Sequence, residues 1–336
     1  MTDTMLLKEF RSGVLESAHR GHICIVDDKG RVIYSAGDPH FRTFTRSAAK
    51  PLQAIPGIRA GIADAYEFSQ NEIALMVSSH RSEPFHRDTL EQMKEKINID
   101  EDGLVCAPSF PLHEESRTDY IRQQGDKRRL LHNCSGKHMG VLAYSKVRGY
   151  DLHSYADPNH PVQQEIKQTI SDLGEIDPSD MVAGVDGCGF PVYALPISTM
   201  ATAFLKLACP DLIEDEETRK AVQIITSAMN KSPQMVGGTG RVDSVLLQDE
   251  NIVAKGGFQG VFCFALRKER LGISFKVLDG SDEEWGLIVK SILTQIGYDN
   301  TETIQRLTEQ FPEEIQNDAR IVVGKAEPAF MLKSHS

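Results

Sequence analysis

Apolar positions fall into two rhythms along the chain. Near the N-terminus, HICIVDD (22–28) and RVIYSAG (31–37) alternate or run β-branched on either side of Lys29-Gly30, which predicts a hairpin. From Ser47 to about residue 230 the spacing becomes helical, with segments near 47–61, 70–77, 86–97, 137–148, 161–173 and 215–230. Several of these open on Ser, Asn, Asp or Pro in capping positions. VCAPSFPLH, MVAGVDGCGFPVYALPIS and GGTGRVD interrupt them, and their Gly and Pro content predicts loops or short strands. Sheet character returns in NIVAKG, GVFCFAL and GISFKVLDG, followed by an amphipathic helix in DEEWGLIVKSILTQIG.

Strand groups at both chain ends with helices between them predict one sheet built from both termini beside a mainly helical region. The cleft is expected between the two parts. The α/β part covers about 10–46 and 180–336, and the helical part about 47–179, of a single domain spanning 1–336. No repeat, low-complexity tract or Gly/Ser linker divides it.

Composition narrows the classes of partner. With 336 residues, 40% of them hydrophobic, a substantial core is available and disorder is not expected. A net charge of -11 argues against general binding to nucleic acid or to anionic membrane, both of which need a clustered positive face. The N-terminal MTDTMLLKEFRSG is too charged for a signal peptide, and no segment is apolar for a membrane-spanning length. A soluble cytoplasmic protein is expected. The six cysteines, Cys24, Cys106, Cys134, Cys188, Cys209 and Cys263, are spread too thinly for a disulfide framework and are expected as reduced thiols.

The chemistry-bearing stretches begin with RSAAK. Serine needs a nearby base to lose its proton as it attacks a carbonyl. Ser47 and Lys50 stand three residues apart, about one helical turn, on the same face. Pro51 suits a first helical turn, where no intrahelical donor is lost. Lysine acts as a base only when burial or neighbouring cations lower its pKa, and Arg46 and a second lysine could do so. Taken alone, S-x-x-K fits a helix cap followed by a solvated charge better than a nucleophile with its base.

AKGGFQG places Lys255 at the end of the first C-terminal strand. Serine β-lactamases and penicillin-binding proteins pair S-x-x-K with K-[ST]-G in this order, although the middle residue here is Gly. SSHRSEPFH adds Ser79 and His80 after an apolar helix. The two pairs, Ser47 with Lys50 and Ser79 with Lys255, would permit proton relay. HNCSGKHMG and GVDGCGFP carry Cys134, Lys137, His138, Asp186 and Cys188, but no standard zinc spacing. The P-loop, the dinucleotide-binding G-x-G-x-x-G and the G-x-S-x-G elbow are missing, so nucleotide binding lacks its usual support.

Taken in order, RSAAKPLQA, SSHRSEPFH, HNCSGKHMG, GVDGCGFPVYALP, GGTGR and AKGGFQG closely resemble the Asparaginase_II family, the rhizobial-type or class 3 L-asparaginases. The resemblance covers about residues 10 to 330. It implies hydrolysis of L-asparagine to L-aspartate and ammonia, a serine β-lactamase-like fold and a homodimer. The family's two serine–lysine pairs fall on Ser47 with Lys50 and on Ser79 with Lys255, and its zinc ligands on Cys134, Lys137 and Cys188. Substrate contacts are expected from Arg46, His80, His138 and Asp186. Zinc is an accessory on this reading, since the serines and lysines already provide a nucleophile and bases.

Two positions depart from the family pattern. Arg81 and Ser82 make SSHRSEP where SSHSGEP is commoner, and Gln259 stands after KGGF where an acidic residue is frequent. Arg81 adds a cation beside the second serine, and Gln259 removes a charge. The alternatives to an asparaginase are a β-lactamase-like or other amide hydrolase, a zinc-centred amidohydrolase, and an inactive amino-acid-binding module.

Overall fold

A computed structural model describes residues 3–335. Twelve strands are present among these: β1 (Thr4–Arg11), β2 (Val14–Val26), β3 (Val32–Ala36), β4 (Arg42–Phe44), β5 (Val182–Val185), β6 (Pro191–Pro196), β7 (Ile252–Gly256), β8 (Val261–Leu266), β9 (Leu271–Val277), β10 (Glu314–Gln316), β11 (Val322–Pro328) and β12 (Lys333–Ser334). Nine of them form one antiparallel sheet in the order β10-β11-β1-β2-β9-β8-β7, with β3 on the second half of β2 and β12 on β3. The expected joining of the two chain ends is made by β2 against β9, where Gly21–Val26 pair with Val277–Gly272. A small second sheet, β4-β6-β5, sits at the junction with the helices.

β7 and β8 are buried on both faces, which explains why GVFCFAL runs apolar instead of alternating. Helix Ile197–Ala208 covers one face, and Trp285, at the start of helix Trp285–Gln295, packs on Phe262 and Phe275. The predicted helical region is present as helices Lys50–Arg59, Gln70–Met76, Pro84–Ile97, Ser135–Arg148 and Pro161–Gly174. No described helix is long and apolar enough to cross a membrane.

Two local devices bring the helical region to the sheet. Helix Gln70–Met76 begins on a capping box, in which the Ser69 amide donates to Glu72 at 2.7 Å and the Glu72 amide donates back to the Ser69 hydroxyl. It ends at Val77, delivering Ser78 and Ser79 to the sheet edge. Helix Ser135–Arg148 then crosses so closely that a Cβ on Gly136 would lie 2.3 Å from the Leu75 carbonyl oxygen, so only glycine lets Asn133 and Cys134 approach the Ser78–Ser79 turn.

Candidate active site

Ser47 stands in the short helical turn Arg46–Ala49, which runs directly into helix Lys50–Arg59. Arg46 holds a left-handed backbone (φ 48°), uncommon for a residue with a side chain and a mark of local strain. Its guanidinium is held by Asp186, with Nη2 at 2.6 Å and Nε at 2.9 Å from Oδ1, and lies over the Phe258 ring. Strand β7 runs close to the same turn. A Cβ on Gly257 would lie 3.2 Å from the Thr45 carbonyl and 3.0 Å from that of Val261, so the glycine of AKGGF lets the strand end pack against the serine turn.

Lys50 does not hydrogen-bond to Ser47, the serine one turn before it. Its fully buried ammonium reaches across the cleft to the Ser79 hydroxyl at 3.2 Å, to the Asn133 carbonyl at 3.2 Å and to the Ser78 carbonyl. Lys255 reaches the same Ser79 hydroxyl from the sheet side at 3.0 Å and also donates to the Gly256 carbonyl. Ser79 therefore sits between two buried amines, and its own amide is fixed by the Val236 carbonyl at 2.8 Å.

Burial and the nearby Lys50 lower the Lys255 pKa to about 8, against the pull of Asp243. Burial would raise the Asp243 carboxyl, but Lys255 and Arg241 outweigh it and hold the group below its ordinary value. Asp243 Oδ2 lies 3.4 Å from Lys255 and accepts from the Gly256 amide at 3.3 Å. The Gly257 amide is spent on the Val261 carbonyl. With the Gly256 and Gly257 amides both spent, the Ser47 amide is left as a backbone donor for an oxyanion, because the first turn of a helix provides it no intrahelical acceptor.

Ser47, Ser79 and Lys255 line one cavity of about 140 Å³, whose wall also includes Arg81, Asn133, Arg241, Asp282 and Trp285. That is below the roughly 300–1,000 Å³ of sites for drug-sized ligands and suits a single small polar molecule. Arg241 pairs with Asp282 at 2.6 Å across its rim. Arg241, Asp243, Asp282 and Trp285 are neighbours that motif reading did not single out. Arg241 and Asp243 belong to GGTGRVD, whose glycines signal a loop but not its destination.

His80 and His138 lie apart from this wall, both with 0% exposure. His80 Nε2 bonds to the Ser135 hydroxyl at 2.9 Å, and His138 Nδ1 to the Tyr155 hydroxyl at 2.7 Å. Burial drives both imidazoles well below their ordinary pKa, so they are neutral supports of helix Ser135–Arg148.

Cys134, Lys137 and Cys188 form one buried cluster behind the cleft. The Lys137 ammonium donates to Cys188 Sγ at 3.1 Å and stands 3.9 Å from the centre of the Phe190 ring. The Cys188 thiol donates to Cys134 Sγ, and this bond, together with Lys50 and His132, favours the Cys134 thiolate over the thiol, while Cys188 keeps its proton through that bond and burial. Burial opposes the Lys137 charge, yet the two sulfurs hold it raised. Two sulfurs and an amine are donors that zinc accepts once they are deprotonated, so the residue types fit the metal, with Lys137 giving up on ligation the proton it holds here.

Two hydroxyls and two buried amines in a small cleft on an α/β frame are the equipment of an amide hydrolase. The chain belongs to the L-asparaginase II family, whose model matches residues 7–328. No curated protein matches the chain at a significant level. Among solved structures it is similar to a β-lactamase from Mycobacterium bovis (11% identity, 82% of this chain and 94% of that one, TM-score 0.42) and to the simvastatin synthase of Aspergillus terreus (13%, 85% and 91%, 0.40). It is also similar to a D-alanine carboxypeptidase from Burkholderia cenocepacia (13%, 86% and 93%, 0.38).

Proposed function

We propose that the chain hydrolyses L-asparagine to L-aspartate and ammonia through a serine ester. The observation that carries this is the Ser79 hydroxyl, set between the Lys50 and Lys255 amines at 3.2 and 3.0 Å in the cleft that Ser47 also lines. An amine with a pKa of about 8, as in Lys255, is a usable base at mildly alkaline pH, and a hydroxyl bonded both to it and to a second amine passes protons between them.

Ser47 Oγ attacks the side-chain amide carbon, and its proton passes into the Lys50–Ser79–Lys255 set, where the neutral Lys255 amine accepts it. The carbonyl electrons go to the oxygen, which the Ser47 amide stabilises. The tetrahedral species collapses, the C–N bond breaks, and ammonia leaves with the proton returned through Lys50, Ser79 and Lys255. Water then attacks the β-aspartyl ester, gives its proton to the same relay and releases aspartate and the free serine. Ser47 is the better nucleophile of the two because its hydroxyl has no internal hydrogen bond among the described residues, whereas that of Ser79 is already shared.

Arg46 and Asp186 are assigned to orienting the substrate's charged α-groups, with Arg81 and Arg241 as further cations of the wall. When bound by Cys134, Lys137 and Cys188, zinc would supply a fixed positive charge behind the pocket. A homodimer in the cytoplasm, as expected for the family, completes the proposal.

A second reading makes Ser79 the nucleophile, favoured by the same two amine contacts. A coupled ammonia assay with L-asparagine and with L-glutamine tests the function. Release from L-asparagine supports it, and binding of L-asparagine with no release of ammonia overturns it.

A further inference from the structure

A second cluster of metal-binding groups lies outside the cleft, on the other part of the sheet. β1 and β2 pair Leu7 with His19 and Glu9 with Ser17, which puts these four side chains on one face. Helix Trp285–Gln295 covers that face, with Leu287 packed on Leu7 and Ala326. Glu284, the residue before the helix, is thereby carried over His19. One carboxylate oxygen of Glu9, one of Glu284 and a ring nitrogen of His19 all lie within 4.8 Å of one another.

The imidazole is aimed. His19 Nδ1 is 2.7 Å from Asp279 Oδ2, so an Nδ1–H donated to that carboxylate leaves the Nε2 lone pair between the Ser17 hydroxyl, at 3.3 Å, and Glu284, whose Oε1 is 3.2 Å away. A carboxylate behind a histidine is the usual outer partner of a metal-ligating imidazole. Glu284 is 4% exposed and its Oε2 is buried with no hydrogen-bond partner, while its Oε1 accepts from the Ser281 hydroxyl. A buried carboxylate oxygen left unpaired costs free energy that a cation would recover.

We propose that Glu9, His19 and Glu284 bind one divalent transition-metal cation, zinc or manganese by their donor chemistry. Two carboxylates neutralise the ion, and the imidazole selects a transition metal over magnesium or calcium. The ion ties the β1–β2 hairpin to the 279–284 turn. That turn carries Asp282, and Trp285 follows it directly; both are in the wall of the cleft, so metal binding here stiffens one side of the substrate site without touching the reacting atoms.

Manganese is the probe, because a hard ion disfavours the sulfurs of Cys134 and Cys188. Metal-stripped full-length protein is titrated with Mn²⁺, and the free ion is followed by electron paramagnetic resonance. Wild type is expected to bind one Mn²⁺ per chain with a rise in Tm. Asp279→Asn should weaken binding about 10- to 100-fold, the usual effect of losing an outer partner. Glu9→Gln, a change at a partly exposed position that leaves the core intact, should abolish the Mn²⁺-induced rise in Tm. A wild type that binds no Mn²⁺ and no zinc beyond that lost in Cys188→Ser overturns the site, and so does Mn²⁺ affinity unchanged in both Asp279→Asn and Glu9→Gln.

Discussion

Lys50 and Ser79 are 29 positions apart in sequence, yet the ammonium of one donates to the hydroxyl of the other at 3.2 Å, across the seam between helix Lys50–Arg59 and the turn after helix Gln70–Met76. The serine that shares a helical turn with Lys50 is not its hydrogen-bond partner. The two serine–lysine pairs suggested by spacing are thus one linked set, Lys50–Ser79–Lys255, with Ser47 facing it from the helix start. Removing the central hydroxyl should break the proton path and leave the fold intact, because Lys50 keeps the Ser78 and Asn133 carbonyls. Ser79→Ala is expected to lower kcat for ammonia release from L-asparagine by about 10²–10⁴, the usual size of a general acid–base contribution, with an unchanged circular dichroism spectrum.

The Lys255 amine must be neutral to accept a proton, and its pKa lies near 8. Activity should therefore rise with pH through about 8 and level off above it. The Asp243 carboxylate raises that pKa, so Asp243→Asn should lower it and move the rising limb to lower pH. A pH profile of kcat/KM for both proteins checks the direction of the shift.

How much of this could be read from the chain differs by element. HICIVDD, GVFCFAL and GISFKVLDG announce their strands because all three lie at the buried centre of the sheet. β1, the first half of β2, and β10 to β12 go unseen because they lie toward an exposed margin. There charged residues such as Lys325, Glu327 and Glu313 replace the apolar alternation. Helix Ile197–Ala208 is hidden for the opposite reason: it is buried nearly all round, so its polar residues Ser198, Thr199, Thr202 and Lys206 mark no exposed face. The motifs pick out Ser47, Ser79 and Lys255, which line one cavity, and Lys50, which reaches Ser79, but spacing along a helix cannot say where a long lysine side chain points. Nor could it show that His80 and His138 turn inward, since burial is a property of the packed neighbours Ser135, Tyr155 and Phe190.

Arg46 joins the serine turn to the loop bearing Cys188 through its ion pair with Asp186. Arg46→Ala leaves that carboxylate without its partner and frees the strained turn. We expect KM for L-asparagine to rise about tenfold, equivalent to about 1.4 kcal/mol of binding, with a smaller change in kcat. Steady-state kinetics separates the two parameters.

The thiol cluster predicts a spectroscopic result independent of turnover. Co²⁺ added to metal-stripped protein should give sulfur-to-metal charge-transfer absorption in the near ultraviolet, because Cys134 is poised as a thiolate beside Cys188. Cys188→Ser should weaken this band, and Lys137→Met should lower affinity for the ion while retaining sulfur ligation. Metal uptake should also release protons, measurable in weak buffer.

The most direct test of the central claim is to quench the enzyme during turnover of L-asparagine and weigh the intact chain and its peptides by mass spectrometry. The account predicts a population heavier by one aspartyl group, attached at Ser47, missing in Ser47→Ala and accumulating when water attack is slowed. An unmodified chain at every quench time, together with full ammonia release by both Ser47→Ala and Ser79→Ala, would contradict it.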